Sequence, residues 1–197
     1  MLNRISILVL ICVSVNSLIY AQSNKYSLTT CSRAYYSDSN NKSPEQKQEE
    51  LRECVIGKQF PAFSATTITG KKYSDEDLKG KVVLITSWFA ACPTCNAEMP
   101  LLNKLNEKYK DRGFILLSFC ADNPERINSF LKERPLNYEI FPGSDQLITL
   151  DMQTSYGYPT NIICSKEGKI VEFMVGAPAD EAGKKELMAV IERELSR

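Results

Sequence analysis

The chain has 197 residues, 43% hydrophobic and 24% charged, and its 24 basic and 24 acidic side chains cancel. That length suits one domain with its own core and is short for two, and the neutral balance carries no nucleic-acid footprint and no polybasic membrane patch. Histidine is absent, which removes Ser-His-Asp triads, histidine general catalysis, histidine metal ligation and Cys-x-x-Cys-His haem attachment together.

The first 21 residues read as a secretion signal: Arg4 supplies the positive start, and Ile5 to Val15 is an apolar run too short to span a bilayer alone. Ala21 offers a small residue for cleavage before Gln22. A retained membrane anchor is the alternative; a lipoprotein acceptor at Cys12 is disfavoured by the bulky Ile11 before it. Residues 22–42 are polar, with few apolar anchors. Ser43-Pro44-Glu45-Gln46 is a helix start, with Ser43 as N-cap, Pro44 in the first turn and Gln46 closing a capping box. Leu51, Cys54 and Val55 share one face of that helix, and Gly57 ends it.

Phe60 to Tyr73 reads as a hairpin turning at Thr69-Gly70, and Ser74 to Leu78 as one helical turn. Val82 to Ile85 is apolar without alternation, as expected of a strand covered on both faces. A helix follows, carrying Met99, Leu101, Leu102, Leu105 and Tyr109, with Pro100 expected to kink it. Phe114 to Phe119 is a second covered strand, Pro124 to Arg134 a helix capped by Asn123, Tyr138 to Phe141 a short extended piece, and Asp145 to Met152 a short helix. Asn161 to Cys164 and Ile170 to Val175 flank a hairpin turn, and Asp180 to Leu195 is the last helix, burying Leu187, Val190, Ile191 and Leu195. Strands alternating with helices predict an α/β fold with a mixed central sheet covered on both sides.

Chemistry concentrates at Cys92-Pro93-Thr94-Cys95, between the first covered strand and its helix. A free cysteine is about 3% thiolate at pH 7; at a helix N-terminus its pKa falls to about 7, making roughly half of it nucleophilic. Cys92 is placed as the exposed attacker. Cys95, one turn on, can resolve a mixed disulfide by attacking the Cys92 sulfur. Pro93 fixes a torsion between them and lacks an N–H that a helix start does not need. A zinc site would require a second cysteine or histidine pair, which is missing. The peroxidatic pattern Pro-x-x-x-Thr-x-x-Cys is not met either, since Phe89 stands where its threonine would be.

From Phe60 onward the chain resembles the TlpA/ResA-like branch of thioredoxin-fold proteins, within the AhpC/TSA-redoxin superfamily. The matching parts are Gly80-Lys81-Val82-Val83-Leu84, then Cys92-x-x-Cys95-x-x-Glu98-Met99-Pro100, then Gly157-Tyr158-Pro159-Thr160 ahead of a strand, and Glu167-Gly168-Lys169. The resemblance implies a thioredoxin-like three-layer sandwich with Val82 to Ile85 in mid-sheet, an N-terminal hairpin and a polar extension. It divides the chain into a signal at 1–21, an extension at 22–56 and a thioredoxin-like domain at 57–197. It implies a cis Pro159 beside the cysteines, turning the Tyr158 backbone toward an incoming partner strand. Trp88 keeps a tryptophan of the family and packs beside the site; with Pro93, Thr94, Tyr158 and Pro159 it forms the expected partner-contact set. Glu98 is expected to tune the cysteines and relay protons. Thioredoxin itself has an acid six residues before its first cysteine, where this chain has Thr86, and a Trp immediately before that cysteine, where it has Ala91.

Cys31 and Cys54, outside the implied core, are expected to form a structural disulfide. Cys120 and Cys164 would be separated by the central strand, about 10 Å apart, beyond disulfide reach. The expected function is an exported, periplasmic or cell-envelope thiol–disulfide oxidoreductase acting as a reductant, with cytochrome c maturation as the process the resemblance implies. Its partners would be protein thiols and disulfides and a membrane-embedded electron donor. No cofactor or metal is needed, because the electrons reside in its own dithiol. A thiol peroxidase and a redox-inert binding module are the alternatives.

Overall fold

A computed structural model describes residues 28, 30–37, 42–148, 156–178 and 180–197. The expected secretion signal lies outside the described residues. Helix α1 covers 30–37 and α2 Pro44–Val55. The strands are β1 (Ser64–Thr66), β2 (Lys72–Ser74), β3 (Val82–Trp88), β4 (Phe114–Cys120), β5 (Glu139–Phe141), β6 (Thr160–Cys164) and β7 (Ile170–Val175). The remaining helices are α3 (Pro93–Tyr109), α4 (Pro124–Glu133) and α5 (Glu181–Leu195), with a 3-10 turn at Asp75–Leu78. Residues 145–148 are helical; the rest of the helix expected there lies outside the described residues.

β1 and β2 form the expected hairpin, with Ala65 opposite Tyr73. The other five strands make a mixed sheet in the order β5-β4-β3-β6-β7, in which β3 runs parallel to β4 and antiparallel to β6. Because β3 is central, both its faces are covered, and alternate residues enter different cores. Val83 and Ile85 join Leu117, Phe119, Ile162 and Phe173 on one face; Val82 and Leu84 meet Leu102, Leu105, Leu187 and Ile191 of α3 and α5 on the other. This is why the strand reads as a continuous apolar run. Truncating the fully buried Leu84 to alanine would cost about 2–5 kcal/mol. β3 runs three residues past the expected end at Ile85, and Thr86 and Ser87 are buried there. These polar residues are tolerated because both have partners: Thr86 a carboxylate, and Ser87 Oγ the Thr160 N–H at 3.2 Å.

α2 has the expected capping box, Ser43 Oγ accepting from Gln46 N–H and Gln46 Oε1 from Ser43 N–H. It lies on β7. Arg52 holds the Glu172 carboxylate in a fork, at 2.7 and 3.0 Å, and Gln48 donates to the Val175 carbonyl. After α2 the chain turns through Gly57 (φ 81°), a torsion that favours glycine, and its N–H reaches the Ile170 carbonyl.

The extension differs from its reading as a polar segment with one short helix. α1 is a second helix, and Leu28 and Cys31 are buried in the same core as Leu51 and Val55. Leu28, Cys31 and Tyr35 recur at helical spacing, and the Cys31–Cys54 disulfide joins α1 to α2. That bond supplies an anchor that the few apolar side chains do not. One smaller expectation also changes: Leu195 is only half-buried. Pro100 lies inside α3, as expected.

Candidate active site

Cys92 is the N-cap of α3, with extended backbone (φ −79°, ψ 110°), and Pro93 is its first helical residue. An N-cap faces N–H groups that have no intrahelical partner. One of them, from Cys95, donates to Cys92 Sγ at 3.2 Å, and Thr94 Oγ1 lies 3.4 Å from the same sulfur. Cys92 and Cys95 are joined as a disulfide with Cα atoms 5.3 Å apart. Cys92, expected as an exposed attacker, is 3% exposed in this oxidised form. Its side chain lies in a cluster with Trp88, Met99, Cys120, Ile127 and Ile140, while Ala91, Pro93 and Thr94 are exposed around it.

Tyr158–Pro159 is cis, as the resemblance implied. Pro159 is buried, and its carbonyl accepts the Gly176 N–H at 2.7 Å. The Tyr158 ring meets Phe89, three residues before Cys92, edge to face at 5.3 Å, and its hydroxyl donates to Asp145 at 3.0 Å. Trp88 is 1% exposed, donates Nε1–H to Ser118 Oγ and packs on Phe130. Its place is beneath the site, which corrects its inclusion among residues a partner would touch: the last residue of a central strand is enclosed from both faces.

Glu98 is 4% exposed. Thr86 Oγ1 donates to its Oε1 at 3.2 Å and Asn161 Nδ2 to its Oε2 at 2.9 Å. Burial pushes the carboxyl up to about 7, with the two hydrogen bonds pulling the other way. Thr86, which takes the position of thioredoxin's acid, therefore serves an acid delivered from α3 instead. Burial and the Glu98 charge both push Tyr138 up. Cys120 is raised to about 12, by burial first, with the Asp122 carboxylate also opposing its ionisation. Burial raises Cys164 further. These two are buried thiols, as expected, and β3 lies between their strands.

Asn161, Ser118, Phe89, Asp122 and Asn96 were not legible as site residues. Asn161 faces Thr86 across the β3–β6 register, so only the strand pairing could have found it.

A five-stranded sheet of this order, a Cys-x-x-Cys disulfide at the start of the helix after its central strand, and a cis-proline loop beside it define a thioredoxin-fold protein. The chain belongs to the Redoxin family, whose family model matches residues 56–191. It is 35% identical to thiol-disulfide oxidoreductase ResA of Bacillus cereus over 128 residues, covering 64% of this chain and 73% of that protein. It is 31% identical to thiol:disulfide interchange protein DsbE of Pseudomonas fluorescens over 151 residues, 71% of this chain and 78% of that one. Among solved structures, the thioredoxin domain of a thiol-disulfide oxidoreductase from Bacteroides vulgatus superposes with a TM-score of 0.59 at 27% identity, covering 69% of this chain and 97% of that one.

Proposed function

We propose that this protein is an exported thiol–disulfide oxidoreductase that reduces disulfides in partner proteins. The observation that carries the reading is the Cys92–Cys95 disulfide across the first turn of α3, with Cys92 Sγ as the helix cap. In the reduced protein, the Cys92 thiolate attacks one sulfur of a partner disulfide. The partner's S–S bond breaks, a Cys92–partner disulfide forms, and the leaving sulfur takes a proton. Cys95 then loses its proton, with Glu98 as acceptor, and attacks Cys92 Sγ. The mixed disulfide breaks, Cys92–Cys95 forms, and the partner leaves with both sulfurs reduced. Two electrons have passed from the dithiol to the partner, with no cofactor involved.

Glu98 suits the proton step because a carboxyl near 7 exchanges protons at neutral pH. Pro93, Thr94 and the half-buried Tyr158 offer the accessible surface for the partner chain, and the buried cis-Pro159 sets the Tyr158 backbone behind it. Cys31–Cys54 is structural: it joins α1 to α2 within the core. Reduction of the resting disulfide needs an upstream donor, which we assign to a membrane-embedded thiol protein. The apolar segment near the N-terminus and the two disulfides support our assignment to the periplasm or cell envelope, and we assign the protein to cytochrome c maturation. Among the described residues no helix is long and apolar enough to cross a membrane.

The test uses single-cysteine variants of the reduced protein with a disulfide-bonded model protein. Cys95→Ser should accumulate a mixed disulfide through Cys92, and Cys92→Ser should do nothing. Unchanged reduction by Cys92→Ser would reject the assignment.

A further inference from the structure

Two side chains without a part in the electron transfer hold the turn that leads into Cys92. Asp122, two residues past β4, accepts the Ala90 N–H on Oδ2 at 2.6 Å. Asn96, in the first turn of α3, donates Nδ2–H to the Ala90 carbonyl at 3.1 Å. Ala90, two residues before Cys92, is thus held at both backbone polar groups. Inside the turn the Cys92 N–H returns to the Phe89 carbonyl at 3.0 Å.

The clamp is itself anchored. Arg126 Nε lies 3.2 Å from Asp122 Oδ1, and the Gly143 N–H donates to the Asp122 carbonyl at 2.7 Å. The Ala121 N–H donates to the Trp88 carbonyl at 3.0 Å, registering the Asp122 loop with the end of β3. Asn96 Oδ1 is buried with no partner among the described residues. An orphaned acceptor is costly, so this amide is held for what its donor does.

We propose that Asp122 and Asn96 are positioning residues for the redox reaction. By clamping Ala90 they keep the Cys92 sulfur at the N-terminus of α3, where the Cys95 N–H and the helix dipole favour its thiolate. The inference rests on the thiol–disulfide reading of the site. It has a distinctive sign. A carboxylate near a thiol disfavours the thiolate by its charge, so electrostatics alone would make loss of Asp122 speed Cys92 chemistry. Loss of the clamp should slow it.

The experiment measures the rate at which iodoacetamide alkylates Cys92 in the reduced full chain at neutral pH, located by peptide mass. Asp122→Ala should react about fivefold more slowly than wild type, the size of a lost helix-terminus contribution. Asn96→Ala should move in the same direction. Asp122→Asn, whose amide oxygen can still accept the Ala90 N–H without the charge, should react at least as fast as wild type. An Asp122→Ala rate not below wild type, or an Asp122→Asn rate as low as Asp122→Ala, overturns the proposal. If Asp122→Ala does not fold, Asn96→Ala decides, and a rate not below wild type overturns it. If wild type exchanges with disulfides while these variants react like it, the clamp alone fails; if wild type exchanges with none, the function fails.

Discussion

Replacing Glu98 by glutamine should remove the pH dependence of stability near neutrality. The buried carboxyl has a folded pKa of about 7, above its ordinary value of 4.5, because burial penalises its charged form. Such a group favours folding fully below pH 4.5, and that contribution is lost as the pH rises through 7. At about 1.4 kcal/mol per pH unit between the two values, the wild type should lose about 3 kcal/mol of stability across this window. The chain has no histidine to titrate in this window, and of the cysteines among the described residues four are locked in disulfides while burial keeps Cys120 and Cys164 protonated. Glutamine cannot ionise, and it keeps a carbonyl for the Thr86 or Asn161 donor. The assay is urea unfolding of the oxidised protein at about pH 5 and about pH 8.5, where a change of this size is readily resolved. The wild-type midpoint should fall at the higher pH, and that of Glu98→Gln should stay level. Equal losses in both proteins, or a wild type more stable at the higher pH, would refute this account of Glu98.

Two further outcomes are expected. Replacing Cys31 and Cys54 together by alanine should cost about 3 kcal/mol, as expected for opening a loop of this length. Urea unfolding at constant pH measures it, and an unchanged midpoint would mean that α1 is held without the bond. Trp88→Phe leaves the buried Ser118 hydroxyl without its indole donor and should cost about 1–3 kcal/mol. Circular dichroism during urea unfolding reads this, and Trp88→Phe with Ser118→Ala should lose less than the sum of the two single changes.

The order of elements was legible because the covered strands and capped helices carry strong local signals: Ser43 with Gln46, Asn123, and the run at Val82. Cys92 and Cys95 were legible for the same reason, since three residues of spacing at a helix start suffice to join them. The rest of the site is non-local. Asn161 reaches Glu98 from 63 positions away, and Asp122 reaches Ala90 from 32. A short polar side chain carries no sign of its partner until the sheet register sets it. α1 escaped for another reason: three anchors at helical spacing in a polar stretch make a weak amphipathic pattern, and its main tie is a covalent bond to a cysteine 23 residues away.

The central claim is that Cys92 and Cys95 act as a reversible dithiol that reduces partners. A redox titration against glutathione, with thiols trapped by alkylation and located by mass, tests it most directly. The account predicts a single two-electron transition at Cys92–Cys95, between about −270 and about −150 mV, on the reducing side of the known range. A transition above about −150 mV would make the protein an oxidant, and no transition at these cysteines would contradict the account altogether.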